Sequence, residues 1–146
     1  MARQYKLFGT VEIVEDGIPS RLAQSFRGCA LVGYLIVTNE AQSRELLADM
    51  LWESTSTAQA LKRLRQLLSR IRPLIPELQV TRNTISFQPA QETYVDILQL
   101  EQLLSETELA QLEQALMLYQ GDLLNNIYLE TGPRFNEWLV IAREQF

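Results

Sequence analysis

The stretch STSTAQALKRLRQLLSRIRPLIP, residues 54–76, decides how this chain is read. It holds Lys62, Arg63, Arg65, Arg70 and Arg72 without one carboxylate. At about 100° per residue, Ala60, Leu61, Leu64, Leu67, Leu68, Ile71 and Ile75 fall on one side of a helix expected over 56–72. The Ser54-Thr55-Ser56-Thr57 cluster marks its start, and Pro73 and Pro76 discourage its continuation. Thr55, Gln59, Lys62, Gln66 and Ser69 centre on the opposite side. Arg63 and Arg70 lie on one flank, Arg65 and Arg72 nearer the other boundary. Those side chains suit a duplex: Arg or Lys pairs with guanine, Gln with adenine, and short hydroxyls with backbone oxygens. The plain alternative is a solvated helix that happens to be basic. Ordinary solvated helices, however, intersperse both signs for i,i+4 pairing. A run of 23 residues without an acid, in a chain of net charge −5, points instead to nucleic-acid contact.

The overall charge hides a split. Residues 1–88 carry eleven basic and eight acidic side chains, whereas residues 89–146 carry two and ten, so a basic front precedes an acidic back. A length of 146 residues with 47% apolar and 21% charged residues fits one ordinary domain or two small ones. The longest apolar run, Cys29 to Val37, is nine residues, well short of the roughly 18 a spanning helix needs, so no membrane partner is expected. The N-terminal MARQYKLFGT has neither an apolar core nor a cleavage site for export, and a cytoplasmic location is expected. The single cysteine, Cys29, sits among apolar residues and reads as a buried core residue. With no histidine, most zinc sites and catalytic triads are excluded. No Gly-rich phosphate loop and no G-x-S-x-G is present, so no enzyme, no metal site and no cofactor is expected.

Outward from the basic helix, the remaining elements follow from periodicity. Tyr5, Leu7, Val11 and Ile13 alternate with Lys6, Thr10 and Glu12, which predicts antiparallel strands with a turn at Asp16-Gly17. Residues 18–22 are expected to pair back on the preceding strand. Ser25 opens a helical pattern through Phe26, Ala30, Gly33 and Val37, apolar all round and so buried. Ser43 is an expected N-cap with Glu45 in the first turn, and Leu46, Leu47, Met50 and Leu51 form the buried face up to Trp52. Leu78 with Val80, and Ile85 with Phe87, are the arms of a hairpin around Arg82-Asn83. A small sheet, three helices and a hairpin give an α+β winged helix.

SRELLADMLW (43–52) followed by ALKRLRQLLSRIRPLI (60–75) resembles the OmpR-type winged helix of bacterial SARP-like transcriptional activators. TYVDILQLEQLL (93–104), ALMLYQGDLL (115–124) and PRFNEWLVIARE (133–144) resemble that family's bacterial transcriptional activator domain, in the same order. The resemblance implies an OmpR-like DNA-binding domain over 1–89 and the N-terminal part of an all-α, TPR-like activator domain over 90–146. It makes 56–72 the helix that enters the major groove. Gln59, Lys62, Arg63 and Gln66 are then the candidates for base edges. Thr55 and Ser56 stand at a helix start suited to phosphate, Arg70 suits the sugar-phosphate backbone, and Arg82 at the hairpin tip faces the minor groove. Arg65 and Arg72 are equally read as ion-pair partners of Glu45 or Asp49. Trp52 is read first as core, with an indole hydrogen bond to phosphate as its second role. TRNTISF departs from the glycine-tyrosine hairpin common in the family.

The back half shows three apolar stripes, Ile97/Leu100/Leu104, Leu109/Leu112/Leu116/Tyr119 before Gly121, and Phe135/Trp138/Leu139/Ala142 behind Pro133. They read as core, and Glu101, Glu106, Glu108, Glu113 and Glu137 as the solvated backs of helices. The expected function is a sequence-specific transcriptional regulator, an activator, forming the N-terminal part of a longer protein. Its expected partners are promoter DNA, with tandem direct repeats favoured by the resemblance, RNA polymerase, and further copies of itself. A competing reading keeps the same helix as a protein-interaction element for an acidic partner, such as the chain's own acidic back half.

Overall fold

The computed structural model describes residues 3–8, 11–20, 25–89, 93–104, 123–124, 127, 129 and 132–145, with backbone alone at 103–104. Among these the fold is α+β, with five α-helices and two small sheets. The first sheet contains β1 (Arg3–Lys6), β2 (Glu12–Glu15) and β3 (Ile18–Pro19), joined antiparallel. Tyr5 faces Ile13 across β1 and β2 and both are buried, as the alternation predicted. Asp16 and Gly17 both adopt positive φ, 51° and 82°, the backbone that a two-residue turn between right-twisted strands requires.

Helix α1 (Phe26–Thr38) is capped by the Ser25 hydroxyl, which accepts from Gly28 N–H at 3.0 Å, and it ends at left-handed Asn39. Helix α2 (Arg44–Leu51) is capped by Ser43, also the last residue of the short strand β4 (Gln42–Ser43). Leu46, expected on the buried face of α2, is instead 36% exposed: the core takes Leu47, Ala48, Met50 and Leu51. Helix α3 covers Thr57–Ile71, one residue shorter at each end than the expected 56–72. Ser56 is extended, and its hydroxyl accepts from Gln59 N–H, so it stands outside as the cap. Arg72 opens a 3₁₀ turn, Arg72–Leu74, in which Pro73 has no N–H to continue the α-helical ladder. Strands β5 (Leu78–Val80) and β6 (Thr84–Phe87) form the hairpin and pair with β4 in the order β4-β6-β5.

Ala60, Leu64, Leu67, Leu68, Ile71 and Ile75 are buried, so the leucine stripe of α3 faces the core. Each such leucine contributes about 2 kcal/mol through burial.

Strand β7 (Tyr94–Val95) lies parallel to β1, completing the order β3-β2-β1-β7. It leads directly into α4 (Asp96–Leu104), in a segment expected to be wholly helical. Asp96 is buried, and its carboxylate accepts from the N–H groups of Leu7, Phe8 and its neighbour Ile97 at 2.8–3.0 Å. These contacts cross position 89, where the domain boundary was expected, and a single buried cluster draws on both sides of it.

Helix α5 (Pro133–Gln145) begins at Pro133 and buries Phe135, Leu139 and Ala142, with Trp138 packed against Tyr34 of α1 at a ring separation of 4.9 Å. Ile97 and Leu100 are buried as well. Arg143 donates to the carbonyls of Leu123 and Leu124, and Leu124 N–H donates to Leu7 O at 2.7 Å. Gly33 of α1 lets this segment approach closely, since a Cβ there would lie 2.8 Å from a Leu124 methyl. The expected stripe Leu109, Leu112, Leu116 and Tyr119, with Gly121 and with Glu106, Glu108 and Glu113, lies outside the described residues. No helix among the described residues is long and apolar enough to cross a membrane.

Candidate nucleic-acid interface

Burying the leucine stripe turns the opposite face of α3 outward. Ser56, Gln59, Lys62, Arg63, Gln66 and Arg70 are all exposed, and Arg82 is exposed at the hairpin tip. Thr55 is the exception among the expected contacts. It is half-buried, and both its N–H and its hydroxyl point at Trp52 O, at 3.1 and 2.9 Å, so neither proton is offered to phosphate. Ser56 uses its oxygen as the helix cap and keeps its hydroxyl proton. Arg65 and Arg72 are exposed and, among the described residues, form no ion pair with Glu45 or Asp49. Between described residues, ion pairs join Arg3 to Glu15 and to Glu77. Trp52 is buried, in keeping with core packing.

Two open clefts flank α3. The first, about 900 Å³, lies between α3 and the N-terminus of α1. Arg27, Arg63 and Arg70 line it together with Gln66, and Trp52 closes its inner side. The Arg27 guanidinium is 5.5 Å from the Trp52 ring centroid and donates from Nε to Leu51 O at 3.1 Å, so two contacts fix its orientation. Burial, and then the charge of Arg63, lower the pKa of Arg27. Among the described residues, no carboxylate lines this cleft.

The second cleft, about 530 Å³, lies between α3, the start of α2 and the hairpin, and Arg44, Arg65 and Arg82 line it beside Glu45. Arg44 braces the hairpin: its N–H donates to Asn83 O at 2.9 Å and its guanidinium to Thr81 O at 3.3 Å. Within the tip, the Thr81 hydroxyl accepts from Thr84 N–H at 2.9 Å, taking the place of a backbone acceptor. Lys62 belongs to neither cleft, and on the helical wheel it projects from the crest between them.

Arg27 and Arg44 are the cations that sequence reasoning missed. Each stands on a different helix from Lys62 and Arg63, and only tertiary packing brings them to the same surface. Their serine-capped helix starts were legible, but not which neighbour those starts would face.

At the base of the hairpin, Glu77 is buried and receives hydrogen bonds from the Arg3 guanidinium and the Tyr5 hydroxyl of β1. Burial, and then the Glu77 bond, push the Tyr5 phenol far up. Glu77 O accepts from Gln88 N–H at 2.9 Å, so one residue ties both ends of the hairpin to the first sheet.

No protein-family model matches the chain, and no curated protein matches it.

Proposed function

We propose that the chain is a sequence-specific double-stranded-DNA-binding regulator of transcription, with a winged helix of the OmpR type as its front part. The observation that carries this reading is the exposed crest of α3, rich in cations and amides, free of acids, and flanked by a cleft on each side. A helix of about 10–12 Å diameter fits the major groove of B-DNA, about 12 Å wide. With α3 in that groove, Gln59, Lys62, Arg63 and Gln66 meet base edges, and Arg70 meets the backbone. The hairpin, carrying Arg82, reaches the adjoining groove as the wing. Ser56 offers its hydroxyl proton to a phosphate at the helix start.

The role of activator, in the cytoplasm, on promoter direct repeats and in contact with RNA polymerase, follows from the resemblance to SARP-like regulators. So do self-association along those repeats, the TPR-like reading of the back half, and the place of this chain at the front of a longer protein. The reading assigns the chain no reaction of its own and no cofactor.

Electrophoretic mobility shifts with genomic fragments at two salt concentrations test the central claim. The expected result is binding that falls steeply with salt and ranks fragments by sequence. Equal affinity for every fragment, or affinity for an acidic polypeptide with none for DNA, overturns it.

A further inference from the structure

We propose that the cleft between α3 and the hairpin seats the sugar-phosphate strand that separates two neighbouring grooves of the duplex, with Arg44, Arg65 and Arg82 contacting its phosphates. This deepens the DNA-binding reading and rests on it.

Three guanidinium-bearing side chains from three elements line this cleft: Arg44 from the start of α2, Arg65 from α3 and Arg82 from the hairpin tip. Among the described lining residues they face a single carboxylate, that of Glu45. Ion pairs between described residues involve Arg3 with Glu15 and Glu77, so none joins Glu45 to these three arginines. The cleft therefore keeps a net positive charge that an entering anion neutralises. Arg44 is half-buried, its guanidinium held on Thr81 O at 3.3 Å and its N–H on Asn83 O at 2.9 Å. These bonds fix the hairpin wall against α2 before any ligand arrives, which lowers the ordering cost of binding. Arg65 and Arg82 are exposed and reach the cleft from opposite walls.

Groove geometry selects the occupant. In B-DNA a major groove and the minor groove beside it share one sugar-phosphate strand as their common wall. With α3 in the former and the hairpin in the latter, that strand passes between them, where this cleft lies. The Ser43 oxygen accepts from Leu46 N–H at 3.3 Å as the cap of α2 and keeps its hydroxyl proton for donation, and the Asn83 amide adds a second neutral donor. Arg65 thus contributes affinity without sequence preference, unlike Lys62 and Gln66 of the same helix.

Binding of the intact chain to its preferred fragment and to random fragments tests the seat, with Arg65→Gln and Glu45→Gln as variants of opposite sign. Arg65→Gln is expected to weaken both fragment classes alike by about tenfold and to make the slope of log K against log salt shallower by about 0.9, one phosphate contact. Glu45→Gln removes the carboxylate from the cleft and is expected to tighten both by about twofold. Arg65 is exposed, so an unchanged melting temperature is expected, which separates lost contact from lost fold. Ethylation interference supplies the positional readout: one phosphate on the strand between the two grooves, whose modification blocks the native chain, is expected to become indifferent in Arg65→Gln. An unchanged salt slope in Arg65→Gln, or a loss confined to the preferred fragment, overturns the seat alone, and so does a Glu45→Gln chain that binds no tighter than the native one. Absence of DNA binding by the native chain overturns the functional reading on which it rests.

Discussion

A side-chain oxygen of Glu53, in the loop between α2 and α3, accepts a hydrogen bond from the backbone N–H of Arg134 at 3.0 Å. Arg134 is the second residue of α5, so a carboxylate from the front of the chain caps the N-terminus of the last helix. Glu53→Ala removes that acceptor and is expected to lower stability by about 1 kcal/mol. Glu53→Gln is expected to recover part of it. Urea unfolding of the three proteins checks the order, and equal midpoints defeat the capping role.

Glu77 holds both Arg3 and Tyr5. Glu77→Ala leaves the buried Tyr5 phenol without its acceptor and Arg3 with Glu15 alone, and a loss of about 3 kcal/mol is expected. Because Arg3 and Glu77 act as one unit, the loss in Arg3→Met/Glu77→Ala is expected to be smaller than the sum of the two single losses. Simple additivity in chemical denaturation contradicts the coupling.

Burial pushes the Cys29 thiol up from its ordinary value of 9.0 to about 12. Below 9.0 the thiol is neutral in both states, and the stabilising contribution of this linkage is fully present. Between 9.0 and about 12 the unfolded chain releases the proton while the folded chain keeps it, so stability falls as pH rises through that window. The limiting slope is about 1.4 kcal/mol per pH unit. Denaturant midpoints for native chain and Cys29→Ala, measured across the window, are expected to converge as pH rises. A constant difference between them refutes the shifted thiol.

Lys62 and Arg70 separate specificity from affinity. Lys62→Ala is expected to cost about 1–3 kcal/mol on the preferred fragment and to relax the preference. Arg70→Ala is expected to weaken all fragments evenly and to reduce the salt slope by about one. Competition binding with mutated sites distinguishes them, and indistinguishable behaviour defeats the assignment.

The parts of the fold legible in the sequence are those with a repeating signal. The leucine stripe of α3, the serine starts of α1 and α2 at 25 and 43, the Asp16-Gly17 turn and the alternation around Arg82-Asn83 each announce their local structure. Strand β7 carries no such signal, because two residues are too few for a period of two and its partner lies some ninety positions away. Asp96 reads as an ordinary first-turn acid, whereas its carboxylate mainly serves the N–H groups leaving β1. Leu46 satisfies the helical period yet lies at the edge of what α2 presents to the core. Of the cationic surface, the share contributed by α3 follows from counting. Arg27 and Arg44 join it through the packing of α1, α2 and the hairpin, which no local pattern encodes.

Tyr94 and Val95 occupy the one flank of β1 that β2 leaves open. Dividing the molecule at residue 89 to isolate the basic front would bare that flank, with its row of unsatisfied amides and carbonyls beside an apolar surface. Such an edge recruits another strand from solution. A fragment ending at residue 89 is therefore expected to associate through this bared edge more readily than the intact chain, which light scattering of the two at equal concentration checks.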